Sequence, residues 1–195
     1  MPSHKIHLAI AKKVNDKINT DLDSLMLGSV LPDLSIGKDH TKSHYQNGKL
    51  GVEGTANHDL FIKKYKDKLN NPVMLGYILH LLTDKFYNDF YYNTAFDWIE
   101  HNKNFKHNLF GSYDKYLLKH GYINKIKNKQ IINSIPNYKD ISFNNEFLSE
   151  YIDKLNDEID NTIIDEKYNI EHQEFLDTLY NDCLNYINNV IDNYR

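Results

Sequence analysis

The sequence predicts an all-α protein, a single-domain multi-helix bundle, and three observations carry that expectation. Apolar residues recur at helical spacing, as in Ile6, Ile10 and Val14 near the start and Phe147, Leu148, Ile152, Leu155 and Ile159 late in the chain. Helix start and stop signals such as Asn57, Asn71-Pro72 and Gly121 punctuate these stretches. No segment alternates apolar and polar residues well enough to compete as a strand. Residues 1–195 contain no repeat, linker or low-complexity break, so one domain is expected.

Ser3 can cap a first helix whose inner stripe is Ile6, Ile10 and Val14, with His7 and Ala11 beside it. A second helix is expected over about Leu22 to Val30, stopped by Pro32, with Asp33 opening an irregular segment. Leu34 to Gly54 has four glycines and no periodicity, and reads as a long loop of the kind that often carries function. Asn57 can cap a helix facing inward through Phe61, Ile62, Tyr65 and Leu69, and Asn71-Pro72 marks the start of a central helix to about Tyr92. Beyond it the sequence predicts a helix through His107 to Leu118 closed by Gly121 and a short one near Ile123 to Ile132. Two longer ones follow near Asn144 to Ile163 and Glu171 to Asn193. The last third is expected to pack around the core and offers little visible chemistry.

A hydrophobic content of 41% is enough for a continuous core, and a net charge of -4 leaves no basic excess for duplex nucleic acid. The single Cys183 excludes an internal disulfide framework. Met1 to Lys5 lacks a secretory h-region and the apolar run Met74 to Leu82 is too short to cross a bilayer, which predicts a soluble cytoplasmic protein without a transmembrane segment. The abundance of Asn, Lys, Ile and Tyr fits an AT-rich bacterial genome and carries no functional weight.

Chemistry concentrates at His80 and Asp84, four residues apart in the most apolar stretch of the chain, where a helix would aim both at one point. Burying an ionisable pair costs free energy unless something compensates, and a divalent metal compensates both members at once. Asp33, just after a helix stop, and His44, in Ser43-His44-Tyr45, are further candidate ligands; His7 could supply a fifth, for a second metal bridged by Asp84, with His4 one turn before it. Bland readings stand beside each: a hydrogen-bonded His80–Asp84 pair, a core-edge His7, a turn-forming Asp33, a solvated His44.

The series Ser3-His4-Lys5-Ile6-His7, Gly28-Ser29-Val30-Leu31-Pro32-Asp33, Ser43-His44-Tyr45 and Leu75-Gly76-Tyr77-Ile78-Leu79-His80-Leu81-Leu82-Thr83-Asp84 resembles, in this order, the zinc-dependent phospholipase C family. The wider superfamily includes single-strand nucleases and shorter intracellular proteins. The resemblance covers roughly residues 1–118. It implies a zinc centre of one or more ions, with Asp33, His44, His80 and Asp84 around the best matched metal and His7 and Asp84 at a neighbouring one. The chain departs from the family downstream. Asn88 and Asp89 stand where a histidine is usual, and His107 is followed by Gly111 rather than by the glutamate of a His-x3-Glu pair, so a third metal position looks degraded, with only Asp89 and His107 left to it.

A zinc-activated water would make the protein a phosphoester hydrolase, acting on a small molecule or a phospholipid headgroup, with Asp33 positioning or deprotonating the water. The aromatic run Phe86, Tyr87, Phe90, Tyr91 and Tyr92, with Phe96 and Trp98, could wall a pocket, although helical spacing sends much of any such run into a core. Two alternatives differ in class. One is a non-catalytic metal-binding helical protein that keeps a degraded site, favoured by Asn88 and Gly111. The other is an HD-type phosphohydrolase using His44, His58-Asp59 and Asp84, which leaves His80 without a role.

Overall fold

A computed structural model describes residues 3–35, 40–46, 56–94, 103–138, 142–162 and 173–194, with the side chains of 40, 91–94 and 103–110 outside the description. All regular structure among these residues is helical. The helices are α1 (His4–Ile18), α2 (Leu22–Gly28), the single turn α3 (His40–Ser43), α4 (His58–Tyr65), α5 (Pro72–Thr94), α6 (Lys103–Lys119), α7 (Asn145–Asn161) and α8 (Gln173–Asp192). Tight 3-10 turns occupy Leu31–Leu34, Lys66–Lys68 and Lys129–Ser134.

Local sequence chemistry sets most of these boundaries. Ser3 Oγ accepts from Ile6 N, Asp21 from Ser24 N and Asn57 from Leu60 N, satisfying amides that a first helical turn cannot pair. Asn71 does the same for α5 by accepting from Val73 N and Met74 N, with Pro72 at the first position, where its missing N–H costs nothing. Helix α6 ends at Lys119 and the chain turns away at Gly121, whose φ of 67° is open to glycine without strain; Tyr122 N bonds back to Leu117 O.

Three expected elements differ. The loop expected from Leu34 to Gly54 carries the helical turn His40–Ser43, and its residues 36–39 and 47–54 lie outside the described residues. Asp33 does not open an irregular segment: after α2 ends at Gly28 it sits inside the 3-10 turn Leu31–Leu34. The short helix expected near Ile123 to Ile132 is absent, and only the turn Lys129–Ser134 forms there. Distant side chains take over that segment's backbone groups. Asn156 brackets Ile126 by accepting from its N–H and donating to its C=O, and Asp23 accepts from Lys127 N and Asn128 N. Those long-range bonds compensate the helical ones that the local pattern favours.

One apolar cluster runs from Ile6 to Ile191, with α5 at its centre. Its inner residues Val73 to Asp84 are all buried, and α1, α2, α4 and α8 pack on it. The α2–α5 crossing is closest because two glycines face each other. A Cβ on Gly28 would lie 2.1 Å from Val73 O, and one on Gly76 would lie 2.1 Å from Leu25 O. Side chains of any size would hold the two backbones apart. Phe86 packs on Tyr87 and Tyr186, and Phe90 on Phe175, so these members of the aromatic run serve helix packing; Tyr91, Tyr92, Phe96 and Trp98 lie outside the described side chains. No helix among the described residues is long and apolar enough to cross a membrane.

Candidate metal centre

His80 and Asp84 occupy successive turns of the buried face of α5, and their i, i+4 spacing brings Nε2 to 3.4 Å from Asp84 Oδ2. The glycine contact then decides the histidine's tautomer. It seats the end of α2 so that the Ser29 carbonyl accepts a hydrogen bond from His80 Nδ1 at 2.8 Å. With the proton on Nδ1, the lone pair of Nε2 faces inward, as in most metal-bound imidazoles.

His44 arrives from the far side of the cluster. The Tyr77 hydroxyl, one turn before His80, donates to the Ser43 carbonyl at 2.6 Å, and Asn57 N donates to His44 O at 2.9 Å. Tyr45 follows at φ 55°, a left-handed conformation that strains a non-glycine residue and turns the chain just after His44. Ser43 Oγ lies 3.0 Å from His44 Nδ1, and His44 Nε2 points at His80 Nε2 from 3.0 Å. Two lone pairs cannot face each other at that distance without a proton or a cation between them.

Asp33 closes the group from its 3-10 turn. Its Oδ1 lies 3.3 Å from His44 Nε2 and 3.8 Å from His80 Nε2, and Asp84 Oδ2 lies 3.3 Å from His44 Nε2. A tetrahedral zinc site with arms of about 2.0–2.1 Å has donor–donor edges of about 3.3–3.4 Å. The five separations span 3.0 to 3.8 Å around that value. Two carboxylates and two neutral imidazoles also balance the charge of a divalent cation.

His7 approaches the other side of Asp84. Its ring stacks on His80 with centroids 4.0 Å apart at 13°, and its Nε2 lies 3.5 Å from Asp84 Oδ1. Asp84 thus offers one oxygen to His44 and His80 and the other to His7. Neither Asp84 oxygen and neither His7 nitrogen has a hydrogen-bond partner, although both side chains are buried. Buried polar atoms are satisfied in most proteins, and cations beside Asp84 would engage its two oxygens and His7 Nε2, leaving only His7 Nδ1 without a partner. Two donor groups emerge among the described residues, His7 with His80 and Asp84, and Asp33 with His44 and His80.

The electrostatics follow from this crowding. Burial would raise both carboxyls, but the neighbouring His80 and the other facing imidazoles outweigh it and hold Asp33 and Asp84 well below the usual range. Burial also disfavours charge on His44, yet Asp33 and Asp84 reverse that and raise it to about 9. In His7 burial and the neighbouring His80 dominate and lower it to about 4, so this ring is neutral, as a ligand must be. A proton on His44 is therefore the cation-free way to relieve the His44–His80 contact, but it leaves Asp84 Oδ1 and the His7 nitrogens without a hydrogen-bond partner.

The remaining candidates fall outside the cluster. His58 pairs with its neighbour Asp59 at 3.4 Å, and neither joins a donor group. Asp89 is held by Lys85 at 2.7 Å, Asn88 is half-buried, and the His107 side chain lies outside the described residues. Two contributors were not visible as such in the sequence. The Ser29 carbonyl matters through a main-chain atom that no side-chain motif reports. Tyr151, on α7, hydrogen-bonds to His4 Nδ1, and His4 Nε2 lies 3.0 Å from Asp33 Oδ2, so the last third of the chain does reach the site. Compared with known protein families, curated proteins and solved structures, the chain gives no match.

Proposed function

We propose that this protein is a metal-dependent phosphoester hydrolase, with Asp33, His44, His80 and Asp84 around one zinc ion and His7 with Asp84 beside a second. The observation that carries the reading is that, in an apolar core, His44 Nε2 and His80 Nε2 lie 3.0 Å apart and each lies 3.3–3.8 Å from an oxygen of Asp33 and of Asp84, near the edge length of a tetrahedral zinc site. The resemblance of residues 1–118 to the zinc-dependent phospholipase C family supports the same chemistry. Bound zinc supplies Lewis acidity, acidifying a water and polarising a phosphoryl oxygen.

The chain's own residues divide the remaining work. His80, fixed by Ser29, and His44, fixed by Tyr77 through Ser43, hold their lone pairs inward. Asp33 is the least buried of the four donors, with a side chain 10% exposed, which suits it to meet an incoming water and orient or deprotonate it. A small phosphoester or a phospholipid headgroup, met in the cytoplasm, is the substrate class in keeping with an acidic protein that lacks a basic excess for duplex nucleic acid.

The test is turnover by the zinc-loaded full chain on phosphomonoesters, phosphodiesters, phospholipid headgroups and single-stranded nucleic acid, beside the Asp33→Asn and His80→Ala proteins. Hydrolysis that disappears with His80→Ala supports the reading. An Asp33→Asn protein that keeps its zinc and its full turnover removes Asp33 from the mechanism. One observation favours a second reading, a non-catalytic metal-binding protein: Asp89 is engaged by Lys85 and position 111 is glycine, so a third metal has lost donors there. Zinc-loaded protein inert towards all four substrate classes would establish it.

A further inference from the structure

Asp33 enters the centre on a four-residue turn, a short support for a metal ligand. Left to itself, such a carboxylate could chelate with both oxygens or swing outward. Its Oδ2 is instead 3.0 Å from His4 Nε2, while its Oδ1 faces His44 and His80. The His4 ring is held in turn by Tyr151, whose hydroxyl hydrogen-bonds to Nδ1 and whose ring meets it edge-on, with centroids 5.3 Å apart at 87°.

The hydrogen-bond polarity of this chain is consistent from end to end. A tyrosine hydroxyl donating to Nδ1 leaves the imidazole proton on Nε2, which donates to the carboxylate. The first turn of α1 is anchored independently on both sides of His4. Ser3 hydrogen-bonds to Asp114 of α6, and Lys5 pairs with Glu158 of α7 at 3.4 Å. Helices α6 and α7 thus fix the histidine that fixes the carboxylate.

We propose that His4 and Tyr151 are positioning residues of the metal centre, holding Asp33 as a one-oxygen donor with Oδ1 toward the cation and Oδ2 turned away. The proposal rests on the cation-binding reading above and adds α7, from the last third of the chain, to that centre. Outer hydrogen bonds of this kind orient metal ligands, and removing them commonly weakens metal binding about 10–100-fold.

The experiment compares wild-type full-length protein with Tyr151→Phe, His4→Ala and His4→Gln, reading zinc affinity by chelator competition and the visible ligand-field spectrum of the cobalt(II)-loaded proteins. Tyr151→Phe keeps the ring and its packing, so its metal-free melting curve should match the wild type. We expect His4→Ala to lower zinc affinity about 10–100-fold, Tyr151→Phe to lower it about tenfold, and both to shift the cobalt bands. His4→Gln, whose amide can still donate to Asp33, should restore part of the loss. Wild-type affinity and an unshifted cobalt spectrum in both Tyr151→Phe and His4→Ala would overturn the proposal. A wild-type chain that takes up neither zinc nor cobalt would overturn it too, and would place the failure in the cation-binding reading.

Discussion

Replacing Gly76 by alanine tests the link between backbone packing and the metal site. The new Cβ would meet Leu25 O at 2.1 Å, Ser29 N at 2.8 Å and Gly28 Cα at 2.9 Å, all backbone atoms that no rotamer change can move. Against the 3.4 Å at which ordinary contact begins, α2 must retreat from α5 by about 1.3 Å. A retreat of that size would stretch the Ser29–His80 hydrogen bond from 2.8 Å to about 4 Å, beyond bonding reach. Overpacking of this kind costs about 1–3 kcal/mol and the lost buried hydrogen bond about 1 kcal/mol more, offset by up to about 1 kcal/mol from alanine's better helix propensity. We expect Gly76→Ala to lower the unfolding free energy by about 1–3 kcal/mol in urea titrations with chelator present, and to weaken zinc binding about 10–100-fold as His80 loses its tautomer lock. Gly111→Ala is the control: nothing lies within 4 Å of its Cβ, so on the exposed face of α6 it should stabilise by about 0.5–1 kcal/mol. A Gly76→Ala protein with wild-type stability and wild-type zinc affinity would show that the α2–α5 glycine contact does not govern the site.

Further outcomes follow from other contacts. His80→Ala should abolish zinc retention on gel filtration, whereas His58→Ala should keep it, because His58 stands outside both donor groups; the opposite pattern would favour the HD-type reading. Zinc at a hundredfold excess over its dissociation constant should stabilise the wild-type protein by about 2.7 kcal/mol in urea titrations, a gain that chelator reverses and His80→Ala lacks. Asp114 gives a pH dependence. Burial raises its carboxyl to about 6, opposed by the Ser3 hydroxyl, Lys5 and His4 and reinforced by Glu158. Its folded-state value thus lies above its unfolded one, so its contribution to stability is most favourable below about pH 4 and is lost as pH rises through 6. Asp114→Asn, which can still accept from Ser3, should therefore gain on the order of 1–3 kcal/mol over the wild type at pH 7 and converge with it near pH 4. Equal stability of the two proteins across that range would contradict this assignment.

Features that depend on close neighbours along the chain are legible in the sequence. Ser3, Asn57 and Asn71-Pro72 start helices because capping and proline's fixed φ act within one turn. His80 and Asp84 converge because helical geometry alone brings i and i+4 together, and Asp33 and His44 could be joined to them only through the order of the family-like motifs. What could not be read depends on distant partners. The segment from Ile123 carries a plausible helical stripe, yet its amides go to Asp23, 104 and 105 positions upstream, and to Asn156, 30 positions downstream. Gly28 and Gly76 look like unrelated small residues until their backbones touch. Tyr151 sits between the core residues Leu148 and Ile152, and nothing in that local pattern points to His4, 147 residues away.

A cation shared by His44, His80, Asp33 and Asp84 is open to direct observation. Anomalous diffraction at the zinc edge from crystals of the wild-type chain grown with zinc measures it most directly. We expect a strong peak among the four side chains, about 2.0–2.1 Å from His44 Nε2 and His80 Nε2. Crystals with zinc bound elsewhere or not at all, and with His44 still hydrogen-bonded to His80 across 3.0 Å, would contradict it.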